Sequence, residues 1–216
     1  MSDSPPGVAD LLGVLAYAEL TAFLRLAEDA ARHAPTLADR AALGDLAATE
    51  YAHFRLLHAR LVSLGIDPEE AMEPFSGPLD AWHAQTAPAD WPEALVKAYV
   101  GTGIALDFYR EAVSRVDAKT RELVEEVLAD EDRSRFAVER VGAVVRQDPR
   151  RAGRLALWAR RLVGEALSQG QHVAAARPEL ASLLVGTEGE DVTRMFTRLT
   201  EAHGKRMAAL GLTPGP

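Results

Sequence analysis

Thr49-Glu50-Tyr51-Ala52-His53-Phe54 is the stretch that decides how this chain folds. It sits inside a long helical pattern in which Leu43, Leu46, Glu50, His53, Leu57, Leu61 and Leu64 follow one another at intervals of three or four. That spacing puts all seven on one face of a helix, the face that an amphipathic helix buries. A carboxylate and an imidazole therefore occupy positions where leucines are expected. Burying an ionised carboxylate costs several kcal/mol unless a partner or a metal compensates, so the pair points to a cation. The chain has no cysteine, which excludes disulfides, thiolate metal sites and cysteine nucleophiles. Any metal is then held by oxygen and nitrogen.

Outward from this stretch, the chain reads as a series of helices. Thr36 is a good N-cap for the helix carrying Glu50, and Gly65 a favoured residue just past its end. Before it, residues from about 9 to 31 form a first helix with Leu12, Leu15, Glu19, Phe23 and Leu26 on one stripe, and the two form a hairpin. Residues 66–90 hold Pro68, Pro74, Gly77, Pro78 and Pro88 and only short helical fragments, as suits a crossover running the length of a bundle. Pro92 starts a third helix to about Val116, apolar on most sides from Leu95 to Tyr109 and hence central. A fourth runs from the turn near Asp117 to about Arg146, with Val124, Leu128, Glu131, Ser134, Val138, Val141 and Val145 on one stripe. Pro149 opens a fifth, to about Ala176, and a sixth covers roughly 191 to 210. The expected architecture is all-α in one domain of 216 residues. Residues 1–8 form a disordered tail, 9–146 a four-helix core with a long crossover between its second and third helices, and 149–212 two additional helices.

Each core helix carries an acid on its buried stripe: Glu19, Glu50 with His53, Asp107, and Glu131 with Asp130 beside it. Ferritin-like di-iron bundles use a Glu from each of two helices and a Glu-x-x-His pair from each of the other two. Glu19 lies 31 residues before Glu50 and Asp107 lies 24 before Glu131 (50 − 19 and 131 − 107). Shortening a helical hairpin by about one turn on each arm removes roughly seven residues and keeps the same faces opposed, so both halves present their acids at one level. Helix four departs from the pattern. Ser134 stands where the second His is expected, and counting from Asp130 gives Arg133. Three readings stay open: a weakened di-metal centre, a single-metal centre held by Glu19, Glu50 and His53, or an empty one whose acids are held by Arg133 or other internal cations. Glu111 is an alternative to Asp107, and His203 a candidate substitute ligand on the apolar stripe of the last helix.

Ala18-Glu19-Leu20, Glu50-Tyr51-Ala52-His53, Val100-Gly101-Thr102-Gly103-Ile104 and the Val116-Asp117 turn followed by Glu131 resemble the actinobacterial ferritin-like proteins related to the MiaE tRNA hydroxylases. The resemblance covers about residues 9–146. It implies a ferritin-like fold and a non-haem iron centre that uses O2, with Glu19, Glu50, His53, Asp107 and Glu131 as ligands; manganese takes the same donors. In the hydroxylases the substrate is an isopentenyl group on a modified adenosine of tRNA. The chain is thus expected to be either an O2-dependent hydroxylase or oxidase, or a non-enzymatic binding or assembly module with a degenerate site.

The net charge of −8 argues against general nucleic-acid affinity, while Arg146, Arg150, Arg151, Arg154, Arg160 and Arg161 form a local basic stretch. That stretch reads either as a grip on tRNA phosphates or as a solvated face paired with neighbouring acids. No apolar run is long enough to span a bilayer, and the N-terminus lacks the basic and apolar regions of a signal peptide, so a cytoplasmic protein is expected. The partners considered are an unidentified substrate, tRNA and a second copy of the chain.

Overall fold

The computed structural model of the chain describes residues 7–112, 115–128, 131–185 and 192–213. They form helices α1 (Val8–His33), α2 (Leu37–Ser63), α3 (Pro68–Gln85), α4 (Trp91–Ala112), α5 (Ala118–Leu128), α6 (Glu131–Gln147), α7 (Arg150–Ala176), α8 (Pro178–Val185) and α9 (Val192–Ala209). No strand occurs among the described residues. The all-α expectation holds.

Local chemistry sets the helix ends. The Thr36 hydroxyl oxygen accepts from the Asp39 N–H at 3.0 Å and its O–H donates back to the Asp39 carboxylate at 2.7 Å, closing the first turn of α2. Gly65, with φ of 73°, takes the left-handed conformation that ends the helix. The segment expected as an irregular crossover is instead an 18-residue helix, α3. Pro68 opens it, Asp67 accepts from the N–H groups of Glu69 and Glu70, and Ala71, Phe75 and His83 form its buried face. Pro74 and Pro78 each remove one backbone bond, but the cap and the buried face outweigh that loss. Between the expected fifth and sixth helices, Pro178 starts a further helix, α8, which buries Leu180, Leu183 and Leu184. The helix expected from Asp117 to about Arg146 is described over Ala118–Leu128 (α5) and Glu131–Gln147 (α6); residues 129–130 between them lie outside the described residues.

The first two helices pack along their length as the expected hairpin, and α3 lies across α1 and α7. The apolar α4 is central, touching α1, α6, α7, α8 and α9. The core divides into two clusters. One gathers Leu11, Leu12 and Leu15 with Leu57, Leu61, Phe75, Val124 and Leu180. The other gathers Leu26, Leu43 and Ala47 with Leu95, Val100, Leu155 and Leu162. On α1 the break between them falls between Ala16 and Leu26, and on α2 between Ala47 and Leu57. Glu19, Glu50 and His53 sit in that break.

Candidate metal centre and its apolar cavity

Hairpin arithmetic brings the first acids together. Glu19 lies 16 residues before Pro35 in the α1–α2 turn and Glu50 lies 15 after it (35 − 19 and 50 − 35), so equal rises along the two arms put them level. His53, one turn beyond Glu50, shares its face. Glu19 is 7% exposed and Glu50 only 2%. The His53 Nδ1 lies 3.5 Å from Glu19 Oε2 and 3.9 Å from Glu50 Oε2, and one donor atom from each of the three residues falls within 4.8 Å of the others. Two ligands held about 2.1 Å from one ion at a tetrahedral angle stand about 3.4 Å apart; the His53 separations of 3.5 and 3.9 Å are close to that, and the widest separation, up to 4.8 Å, would close by about 1.4 Å to seat a cation (4.8 − 3.4). Oxygen and imidazole donors without sulfur suit iron or manganese.

The other candidate ligands lie elsewhere. Asp107, 6% exposed on α4, faces the Arg206 guanidinium of α9 at 2.6 Å and Arg110 at 3.4 Å. Gly103, one turn before it, makes room: a Cβ there would come within 2.4 Å of the Arg206 side chain. Asp107 is therefore neutralised from within the chain, and it does not join the Glu19–Glu50–His53 group. Glu111 is held by Arg198. His203 is 3% exposed, and neither ring nitrogen has a hydrogen-bond partner among the described residues. Burial, then the Arg206 charge, pushes its pKa down to about 4, against the pull of Asp107.

Asp130, and the side chains of Glu131, Arg133 and Ser134, lie outside the described residues. Ion pairs at either end nevertheless fix how α2 runs against α5 and α6. Arg60 donates to Asp117 at 3.0 Å at one end, and Arg140 reaches Asp39 at 2.9 Å at the other. The segments are antiparallel.

A family model described as "Ferritin-like domain, actinomycetes" matches residues 4–187. The chain belongs to this ferritin-like family. No curated protein matches it. The matched segment holds Glu19, Glu50 and His53 and ends before α9, so the Arg206 that occupies Asp107 lies beyond it.

Beside the acids, this ferritin-like chain holds a cavity of about 260 Å³ lined from α1, α2, α3, α4, α5, α7, α8 and α9. Its wall is overwhelmingly apolar, with Leu15, Ala105, Phe108, Val173 and Leu184 among the lining residues. Glu19 and Glu50 stand on this wall. Asp29, on the same face of α1 ten residues on (29 − 19), marks an end about 15 Å away. There His83, Lys97 and Arg25 join it. Lys97 is 6% exposed, donates to the carbonyl oxygens of Thr86 at 2.7 Å and His83 at 3.5 Å, and lies 5.0 Å from the Trp82 ring centre. Burial pulls its pKa down to about 8, against the attraction of Asp29. His83 is 9% exposed, its Nδ1 has no hydrogen-bond partner among the described residues, and burial followed by the Lys97 charge lowers its pKa to about 3. The sequence reading missed this polar end, although Lys97 interrupts the most apolar helix of the chain.

Proposed function

We propose that this ferritin-like protein binds a single iron or manganese ion through Glu19, Glu50 and His53 and oxidises or hydroxylates an apolar substrate held in the adjoining cavity. The observation that carries the reading is that two buried carboxylates and an imidazole converge on the wall of an apolar chamber. Bound iron would supply the activation of O2 that such chemistry needs. The chain's own part is to hold and position. Glu19 comes from one arm of the hairpin and Glu50 and His53 from the other, so the packing of α1 on α2 fixes the donor triangle. Glu131 or Asp130 is the proposed fourth donor. The apolar wall excludes water and sets an alkyl group beside the acids. A second ion on the α4 side would have to displace Arg206 from Asp107, which is why the reading is of one ion.

RNA contact is left out of this reading, because Asp148 pairs with Arg151, and Asp90 and Glu93 pair with Arg154. One observation favours a second reading, that of a non-enzymatic module: the Arg206–Asp107 pair shows an internal cation neutralising a buried acid. An anaerobic ferrous titration followed by O2, watched by absorbance, separates them. About one equivalent bound, with an oxygen-dependent change lost in Glu50→Gln, is expected. Negligible uptake would remove the metal reading and leave the module.

A further inference from the structure

The cavity's two polar features lie at different places. One is the pair of acids Glu19 and Glu50. At the other Lys97 and Arg25 stand with the Asp29 carboxylate. Arg25 and Arg32 are tied to Glu28 at 3.1 and 2.8 Å on the surface side, and His33 lies 3.9 Å from Asp29. Lys97 is a buried cation on the chamber wall, beside the imidazole of His83. An ammonium carries three protons, and the carbonyls of Thr86 and His83 take two of them. A buried imidazole nitrogen without a hydrogen-bond partner among the described residues and an ammonium with a third proton, at the end of an apolar chamber, call for an oxygen acceptor on an apolar body, and the ammonium favours an anionic one.

We infer that the cavity binds an aliphatic carboxylate, its head group at Lys97 and His83 and its chain lying along the apolar wall toward Glu19 and Glu50. A dry cavity of 150 Å³ holds benzene, so 260 Å³ holds about ten carbons by proportion. The reverse orientation would take the carboxylate away from the Lys97 ammonium and the His83 imidazole. The inference names the substrate class of the site proposed above. It rests on that reading for the chemistry done on the chain, but not for binding.

Calorimetric titration of the metal-free, full-length protein with decanoate and, separately, 1-decanol tests it, with a manganese titration in parallel. Decanoate is expected to bind one per chain and about tenfold or more tighter than decanol. Lys97→Met should bring decanoate to the level of decanol, and Ala105→Phe, which puts a ring into the chamber, should weaken both. The inference is overturned if decanoate binds no tighter than decanol, if neither binds, or if Ala105→Phe keeps its melting temperature and still binds decanoate like the unmodified chain. Should Lys97→Met fail to fold, the comparison of the two ligands on the unmodified chain still decides. Decanoate binding without manganese uptake would sink the metal reading and leave this inference standing, and the converse result would do the opposite.

Discussion

Replacing Glu50 by Gln removes one charge from the candidate metal centre while keeping the side-chain volume. The site supplies three described donors, so one lost donor is a third of the set, and the carboxylate that goes is the most deeply buried. A metal that binds only the folded chain stabilises it by about 2.7 kcal/mol when present at 100 times its dissociation constant. For a chain of 216 residues each kcal/mol moves the melting temperature by roughly 2–4 °C, so the unmodified protein should melt about 5–11 °C higher with metal. Losing an outer-shell partner weakens metal binding about 10–100-fold, and losing a ligand itself should do no less. A hundredfold loss leaves the same metal concentration at the dissociation constant, where stabilisation falls to about 0.4 kcal/mol and the shift to about 1–2 °C. Differential scanning calorimetry with manganese, an air-stable stand-in for ferrous iron, reads both shifts directly. Equal shifts in the two proteins would refute the assignment of Glu50 as a ligand, and no shift in either would refute the site.

Removing one partner of the buried Arg206–Asp107 pair should be costly. Arg206→Met is expected to lose about 3–5 kcal/mol in urea denaturation, and Asp107→Leu combined with Arg206→Met should recover most of it; a single-variant cost below about 1 kcal/mol would contradict the pairing. The neutral, buried His83 should make the fold acid-labile. Its pKa lies near 3 when folded against 6.5 unfolded, so below pH 6.5 the unfolded chain takes up a proton that the folded chain refuses. The stabilisation is complete above pH 6.5 and lost as the pH falls toward 3, by up to about 4–5 kcal/mol; His83→Leu should flatten the slope of unfolding free energy over that range. Thr36→Ala should cost about 1 kcal/mol through the lost cap of α2, as measured by thermal melting.

Glu19, Glu50 and His53 were legible in the chain because their meeting depends on two local rules. Helical spacing puts Glu50 and His53 on one face, and a short turn sets Glu19 opposite. Asp107 followed the same stripe rule, yet its place is decided by Arg206, 99 residues further on (206 − 107), on a helix that no periodicity argument ties to α4. The helical crossover was hidden for a related reason. Pro74 and Pro78 lower helix propensity locally, whereas the packing of Phe75 and His83 that rescues α3 is tertiary. Lys97 and His83 acquire meaning only once eight helices surround a chamber, so a buried lysine in an apolar helix signalled only that something non-local must compensate it.

The division of the core explains why one place can hold both a charged cluster and an apolar ligand. Had Leu15, Leu26, Leu43 and Leu57 belonged to one continuous cluster, carboxylates at positions 19 and 50 would have to be taken into close-packed hydrocarbon, at a cost of several kcal/mol each. Instead the leucines gather above and below, and the level between them is given to Glu19, Glu50, His53 and the chamber beside them. A ligand chain entering that chamber restores apolar contact to the level where the core is interrupted. It also removes water from around the carboxylates, which strengthens their hold on a cation. Substrate and metal should therefore bind cooperatively, each raising the other's affinity by the same factor. Manganese titrations with and without saturating decanoate would measure that factor, and a value of one would show that the chamber and the acids act independently.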